Sequence, residues 1–447
     1  NEQRKFYQTG KTLDYKFRMK ALSRLKKAIL RNEEALYEAL ASDLNKSKTE
    51  AYLCEIGIVL DEIRHHQKHL HRWMKKQVIL PSLGQLPGIC YRVPEPYGVT
   101  LIMAPWNYPV NLCFTPLIGA ISAGNTAVLK PSAYAPETSK VIEKIISEAF
   151  PPRYIAVITG GRKENALLLE EKFDYIFFTG SPNVGKVVME AAARNLTPVT
   201  LELGGKSPVI VDETANIRLA ARRIAFGKVT NAGQTCVAPD YLLIHSTLKD
   251  KFVTEYKRAL HSFFPEKDMS RMVTIISDKH YERLKNLLSD GRIILGGHFD
   301  DERRFIEPTL IDSVDLSSPI MNEEIFGPIL PIITFENINE CIEIIRSLPR
   351  PLALYVFTEN KNTINKIYRT CSFGGGCIND TILHVANPRL PFGGVGNSGM
   401  GSYHGRKSFE TFTHYRSIFK QSSKVDIPVR YMPYSDEKLR LLKKILR

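Results

Sequence analysis

From residue 98 onward the chain alternates short apolar runs with segments long enough to be helices. The runs at 99–103, 126–129, 154–158 and 175–178 carry almost no polar residue, so each expects cover on both faces. A strand apolar on both faces belongs to a parallel sheet with helices crossing over on either side. After Gly204-Gly205 the alternation restarts, with strands expected at 208–211, 241–245 and 352–357 and helices near 216–231 and 248–263. The chain has 447 residues, more than one hydrophobic core usually organises. The expected fold is therefore α/β, with two doubly wound parallel-sheet lobes.

The opening of the chain has a different pattern. Met19, Leu22, Leu25 and Ile29 recur at three- and four-residue spacing among Lys and Arg, so residues 12–76 read as amphipathic helices. A Pro- and Gly-punctuated stretch at 80–88, followed by an extended run at 89–93, predicts a hairpin or projecting arm. Hydrophobic content of 43% and charged content of 24% fit a globular chain. No run approaches the roughly 20 apolar residues of a membrane span.

The formal net charge is +14, which raises polyanion binding as a function class. Bases and acids are interleaved along most of the chain, however, and the densest basic runs, 18–31 and 438–447, lie near its ends. A solvated face explains such charge better than nucleic-acid binding. Seven scattered cysteines without a C-x-x-C pair predict free thiols in a reducing, cytoplasmic setting and no zinc site.

Three motifs are tempting and fail. Gly180-Ser-Pro-Asn-Val-Gly185-Lys186 nearly spells a triphosphate loop, but Val187 stands where Ser or Thr would hold magnesium. What survives is a Gly-bounded turn opening a helix, either suited to a phosphate or pyrophosphate or a purely structural strand-to-helix turn. Gly394-Val-Gly396-Asn-Ser-Gly399 matches a dinucleotide fingerprint by letter, yet no strand precedes it and glycines occupy the place of the helix. It reads as a structural loop. His65, His66, His69 and His71 read as a solvated helix face rather than as metal ligands, because Arg64, Lys68 and Arg72 surround them.

Three windows carry residues fit for chemistry. Cys236 follows a small-residue turn, Asn231-Ala-Gly-Gln-Thr, and from that window alone is either a buried core thiol or a nucleophile. Glu202 sits among apolar neighbours in 198–208, either as an outward strand residue or as a buried base with a raised pKa. Asn107 follows a strand end, where ligands gather in doubly wound sheets, and from its window alone is either a turn residue or a catalytic amide.

Taken together, the segments resemble the aldehyde dehydrogenase superfamily over about residues 15–416. The resemblance rests on Pro105-Trp-Asn-Tyr-Pro109, Lys130-Pro-Ser132, Phe178-Thr-Gly-Ser181, Leu201-Glu-Leu-Gly-Gly-Lys206, Gly233-Gln-Thr-Cys236, Glu323-Glu-Ile-Phe-Gly-Pro328 and Pro391-Phe-Gly-Gly394 with Asn397-Ser-Gly-Met-Gly401, in that order. Cys236-Val-Ala-Pro-Asp-Tyr241 and residues 402–412 look most like the class 3, fatty-aldehyde branch.

The resemblance implies NAD(P)-dependent oxidation of an aldehyde to a carboxylic acid through a thioester on Cys236. Asn107 would hold the oxyanion and Glu202 would activate water. The cofactor would lie on Lys130, Thr179, Gly180, Ser181, Pro182, Asn183, Val184, Gly185, Leu203, Glu324 and Phe326, and Tyr108 would line the aldehyde tunnel. It further implies a Rossmann-like cofactor domain at 1–80 and 98–203, a catalytic domain at 204–380, an oligomerisation arm and C-terminal segment at 81–97 and 381–447, and a homodimer. One position departs: many members carry Glu three residues after the lysine, and here stands Ala133. Losing that carboxylate removes a ribose acceptor and a charge repelling a 2′-phosphate, so NADP is expected to be accepted. The competing readings are a coenzyme A-acylating dehydrogenase and a basic membrane-surface or nucleic-acid binder. In the latter, Leu439, Leu442 and Leu446 would form the apolar stripe of a terminal helix making peripheral membrane contact, a stripe that equally fits an ordinary packed helix or a dimer contact.

Overall fold

The computed structural model describes residues 1–445. A first sheet has six strands in the order Gly399–Met400, Val199–Glu202, Tyr175–Thr179, Val99–Met103, Thr126–Lys130 and Ile155–Val157. All neighbours run parallel except Gly399–Met400, which is antiparallel to Val199–Glu202. A second sheet has seven strands: Arg292–Leu295, Thr309–Asp312, Ile329–Phe335, Tyr241–His245, Pro208–Val211, Ala353–Phe357 and Gly375–Ile378. Only Arg292–Leu295 is antiparallel to its neighbour. The α/β fold with two largely parallel sheets follows the apolar runs: every residue of Val99–Met103, Tyr175–Thr179, Pro208–Val211 and Ala353–Phe357 is buried.

Helices Tyr15–Arg31, Glu33–Leu44 and Gly57–Trp73 form the opening layer. In the first, Leu22, Leu25 and Ile29 are fully buried, as the spacing requires. One core cluster joins the lobes, running from Leu22 and Phe114 through Ile102 and Phe177 to Val209, Leu242 and Tyr355.

The arm is a three-stranded antiparallel sheet of Gln77–Ile79, Ile89–Pro96 and Thr413–Lys420. Val78, Leu80, Leu83 and Ile89 on and beside it are exposed. The stretch 381–447 is thus divided: 413–420 serves the arm, whereas Gly399–Met400 extends the first sheet and helix Arg406–Thr411 packs on helix Asn111–Ala123. Among the described residues no helix is long and apolar enough to cross a membrane. Terminal helix Asp436–Ile445 exposes Leu439 and Leu441, while Leu442 is half-buried and Leu446 lies outside the described residues.

The histidine reading needs correction. His66 is fully buried, with Nδ1 2.7 Å from Ser122 Oγ and Nε2 3.1 Å from Glu62 Oε1. Its position one residue past His65 turns it onto the core-facing side of the helix with Ile63 and Leu70, so it is a satisfied core histidine. His65 and His69 do share the outer face, with ring centroids 4.7 Å apart. No group of three or more His, Cys, Asp or Glu that could hold a metal exists among the described residues.

Candidate active site

Strand order in the first sheet reverses between Val99–Met103 and Tyr175–Thr179, since the chain adds two strands on one side before crossing to the other. Such a switch point opens a crevice at the carboxyl ends of the strands, where ligands bind in doubly wound sheets. Asn107 follows the first of these strands, Thr179 ends the second, Lys130 ends Thr126–Lys130, and Glu202 ends Val199–Glu202. Topology alone therefore brings all four to one edge.

The second lobe delivers Cys236 to that edge through a strained turn. Helix Ile217–Val229 stops at Thr230, and Asn231, Ala232 and Gly233 then take φ of 52°, 52° and 70°. Left-handed conformation in two consecutive non-glycine residues costs energy and persists only when surroundings over-determine it. Gln234 supplies much of that restraint. Fully buried, it donates through Nε2 to Asn231 O at 3.1 Å and Thr274 O at 3.0 Å, and its Oε1 accepts from the Ile276 amide at 3.1 Å. At Gly233 a Cβ would stand 2.3 Å from Gly327 O, so only glycine fits.

Asn107 is buried, and its Nδ2 donates to Gln234 O at 3.1 Å, linking it to the Cys236 turn. The Tyr108 hydroxyl and Thr235 Oγ1 are hydrogen-bonded at 2.5 Å, so the residue before the thiol is tied to the same segment. Cys236 itself is half-buried. Burial pushes its thiol well above its usual range, and the Glu324 and Glu202 carboxyls beside it push the same way.

Glu202 is 2% exposed, and neither carboxyl oxygen has a hydrogen-bond partner. Burial accordingly raises its pKa well above the carboxylate range. Its backbone is fully engaged: the carbonyl accepts from the Gly180 amide at 3.0 Å, and its Cα pairs with Thr179 and Gly399. Here the Gly394–Gly399 loop finds its use. Ser398 O accepts from the Leu203 amide at 3.1 Å, and a Cβ on Gly399 would meet Leu201 O at 2.2 Å, so the glycine lets the loop lie against the Glu202 strand.

Glu324 comes from the second lobe. Its carboxylate rests against Gly204, where a Cβ would be 2.0 Å from Oε2. Burial and Asp240 raise its pKa to about 8 against the opposing Gly205 amide, Lys206 and Arg283. Neighbouring groups hold its backbone: Arg283 Nη1 donates to Glu324 O at 3.2 Å, and Asp240 Oδ2 accepts from the Ile325 amide at 2.9 Å. Asp240 in turn is paired with Lys206, whose ammonium also reaches Ile320 O and Glu323 O. Phe326 has φ of 50° and meets the Trp106 ring edge-on at 5.4 Å.

The crevice suits a dinucleotide. Ser181, Asn183 and Val184 lie exposed on the first turn of helix Pro182–Ala193, and the Ser181 side chain makes no capping bond. Backbone amides at such a helix N-terminus suit an anion. Gly185 is buried against Leu203, where a Cβ would stand 2.8 Å away, so it sets how close the helix lies to the strand. Thr179 Oγ1 and Glu324 Oε1 are buried without partners, as expected of groups awaiting a polar ligand. Lys130 Nζ donates to Gly160 O at 2.6 Å and Pro131 O at 2.9 Å at the far end of the same edge, and Ala133 beyond it is exposed.

Sequence reasoning assigned no task to Gln234, Lys46, Glu55, Lys206, Asp240 or Lys228. Gln234, Lys206 and Asp240 fall inside the motif windows, and a polar side chain within such a window was the available signal. Lys228, 1% exposed, has its pKa lowered to about 7 by burial, with Asp240 and Glu324 opposing and Lys206 assisting. It lies one helical turn before the nucleophile loop, where its charge is not legible from spacing.

Comparison with known proteins agrees with this geometry. The aldehyde dehydrogenase family model matches residues 3–418. A 4,4'-diaponeurosporen-aldehyde dehydrogenase of Staphylococcus aureus is 51% identical over 436 residues, 96% of this chain and 94% of the relative. Aldehyde dehydrogenase family 3 member B1 of Bos taurus is 42% identical, covering 98% of this chain and 95% of its own. Among solved structures, a substrate-bound state of Staphylococcus aureus AldH superposes with a TM-score of 0.97 at 49% identity, covering 100% of this chain and 98% of that one. With its crevice, its buried carboxyls and these relatives, the chain belongs to the aldehyde dehydrogenase family, on its class 3 branch, and is an oxidoreductase that oxidises aldehydes with NAD or NADP.

Proposed function

We propose that the chain converts an extended apolar aldehyde to its carboxylic acid, with Cys236 as nucleophile and water as the final acyl acceptor. The observation that carries this reading is Glu202, a fully buried carboxyl with no partner beside the Cys236 thiol. A carboxyl kept so costs stability and has its pKa lifted toward the working range of a general base. Water is a far weaker acid than a thiol acceptor and has the greater need of such a base. The substrate class is drawn from the resemblance to the fatty-aldehyde branch, and the 51% identical relative is named for 4,4'-diaponeurosporen-aldehyde.

The half-exposed Cys236 thiol gives up its proton to bulk solvent and, as the thiolate, adds to the aldehyde carbon. The resulting oxyanion accepts from the Asn107 side-chain amide and the Cys236 backbone N–H, each donor worth ~3 kcal/mol at sites of this kind. Bound NAD or NADP supplies the hydride acceptor. Glu202 then takes a proton from water as its oxygen attacks the thioester on Cys236, and the thiolate leaves. Lys130 binds the adenosine ribose and Glu324 the nicotinamide ribose, with Phe326 packed beside it. Residues Thr179, Gly180, Ser181, Pro182, Asn183, Val184 and Gly185, with Leu203, line the cleft, and Tyr108 lines the aldehyde path.

The division into a cofactor domain, a catalytic domain and an arm is part of the same proposal. So are a homodimer joined through the arm, whose apolar residues are exposed, and a cytoplasmic setting, which suits seven free cysteines. The terminal helix makes at most peripheral membrane contact, and nucleic acid is not a partner. Steady-state oxidation of alkanals of increasing length, with each cofactor and without coenzyme A, tests the reading. Free carboxylic acid should form at each turnover, with kcat/KM rising with chain length. Acid release that depends on coenzyme A overturns it.

A further inference from the structure

Lys46 lies between helices Glu33–Leu44 and Lys48–Ala51, far in sequence from every motif, yet it reaches the centre of the site. Its ammonium and the Glu55 carboxylate form an ion pair of 2.6 Å with both side chains 0% exposed. The ammonium also donates to the Asn107 carbonyl at 2.9 Å and lies 4.3 Å from the centre of the Tyr108 ring. The other Glu55 oxygen accepts from the amides of Val110 at 2.8 Å and Asn111 at 3.1 Å. The Asn107-Tyr108-Pro109 backbone is thereby pinned at both ends by one ion pair.

The same segment grips the nucleophile turn. Glu50 Oε1 accepts from the Asn231 amide at 2.7 Å. Asn231 Nδ2 donates to Asn107 O at 3.0 Å and to Gln234 O at 2.9 Å, the carbonyl to which Asn107 Nδ2 also donates. A buried ion pair is often no more stabilising than apolar residues of the same volume. An apolar pair, however, could not donate to Asn107 O.

We propose that Lys46, paired with Glu55, is a positioning residue of the oxyanion site: it holds the Asn107 peptide and so aims the Asn107 amide at the carbon attacked by Cys236. This rests on the reading of Asn107 as the oxyanion donor. Asn107 Nδ2 has two N–H groups, and anchoring one on Gln234 O leaves the other directed by the peptide that Lys46 holds.

The test uses the full-length enzyme and the pre-steady-state burst of reduced cofactor with a saturating alkanal. The variant Lys46→Met/Glu55→Gln removes both buried charges and keeps an acceptor for the Val110 amide. It should slow the burst about 100-fold, the scale of losing an oxyanion donor. Alkylation of Cys236 by iodoacetamide and the KM for cofactor should each stay within about twofold. Adding Asn107→Ala to it should cost little more than Asn107→Ala alone, because the bracket acts through that residue. A merely structural role predicts full additivity instead. Glu50→Ala probes the same bracket with both members of the ion pair left in place and should slow the burst about tenfold, so the test stands even if the double variant does not fold. A burst within about twofold of the parent in the folded double variant or, failing its folding, in Glu50→Ala, or a cost that adds in full to Asn107→Ala, overturns the proposal. If Asn107→Ala itself leaves the burst unchanged, the oxyanion assignment falls rather than the bracket.

Discussion

Glu55 and Glu202 are both buried carboxylates, 0% and 2% exposed, one in the opening helices and one at a strand end, and their surroundings are opposite. Glu55 has a lysine on one oxygen and two backbone amides on the other. Glu202 has nothing on either. A buried charge with both oxygens hydrogen-bonded is architecture, and its removal should unsettle the fold. A buried carboxyl with none satisfied is a local cost that only chemistry explains, and its removal should unsettle turnover while sparing the fold.

The largest effect that would sharpen this contrast comes from the thiol both regions serve. Cys236→Ala should abolish aldehyde oxidation while the melting temperature stays near the parent's, as read by cofactor reduction and calorimetry. Glu202→Gln should keep the first-turnover burst and lose steady-state turnover by about 10²–10⁴-fold, with stability unchanged or raised. Full steady-state turnover would break the comparison on the Glu202 side.

Glu55→Gln tests the other side. It leaves Lys46 buried without its counter-charge, so it should lower unfolding stability by about 3–5 kcal/mol, measured by urea titration. A Glu55 variant as stable as the parent would remove the distinction.

Glu324 lies between the two cases, with one oxygen unpartnered and a backbone tightly held. Its carboxyl titrates near 4.5 when unfolded and about 8 when folded. Between those values the folded state keeps a proton that the unfolded chain has lost. The stability this group contributes is therefore full below the lower value, declines as pH rises through the window, and is gone above it. Denaturant midpoints of the cofactor-free protein should fall across that window, and Glu324→Gln should flatten the fall.

The smallest effect concerns the far end of the crevice. Ala133→Glu should shift preference toward NAD by about tenfold in kcat/KM, through the restored ribose acceptor and repulsion of a 2′-phosphate. An Ala133 parent that already prefers NAD strongly would count against that reading.

Strands were legible to within a residue or two at 99–103, 208–211 and 241–245, because apolar runs bounded by Gly and Pro are local signals. The false fingerprint at Gly394–Gly399 was recognisable by its missing strand and helix, but its use against the Glu202 strand was not. His66 escaped because a one-residue offset on a helix exchanges solvent for core, and a cluster of like residues hides it. The candidate site was legible as an ordered set of segments, while Cys236 in its own window remained ambiguous.

The sequence by itself determined the alternation of strands and helices, and the order of segments in which a thiol, a carboxylate and an amide recur with glycines beside them. These are properties of neighbours along the chain, where periods of two and 3.6 residues operate. Tertiary structure alone decided which buried carboxyl is answered and which is left empty. Glu50 and Asn231 are 181 positions apart and Lys46 and Asn107 are 61 apart. Hydrogen bonding is a matter of ångströms in space, so no pattern of spacing could announce that the lysine holds the amide or that Glu202 stands alone beside Cys236.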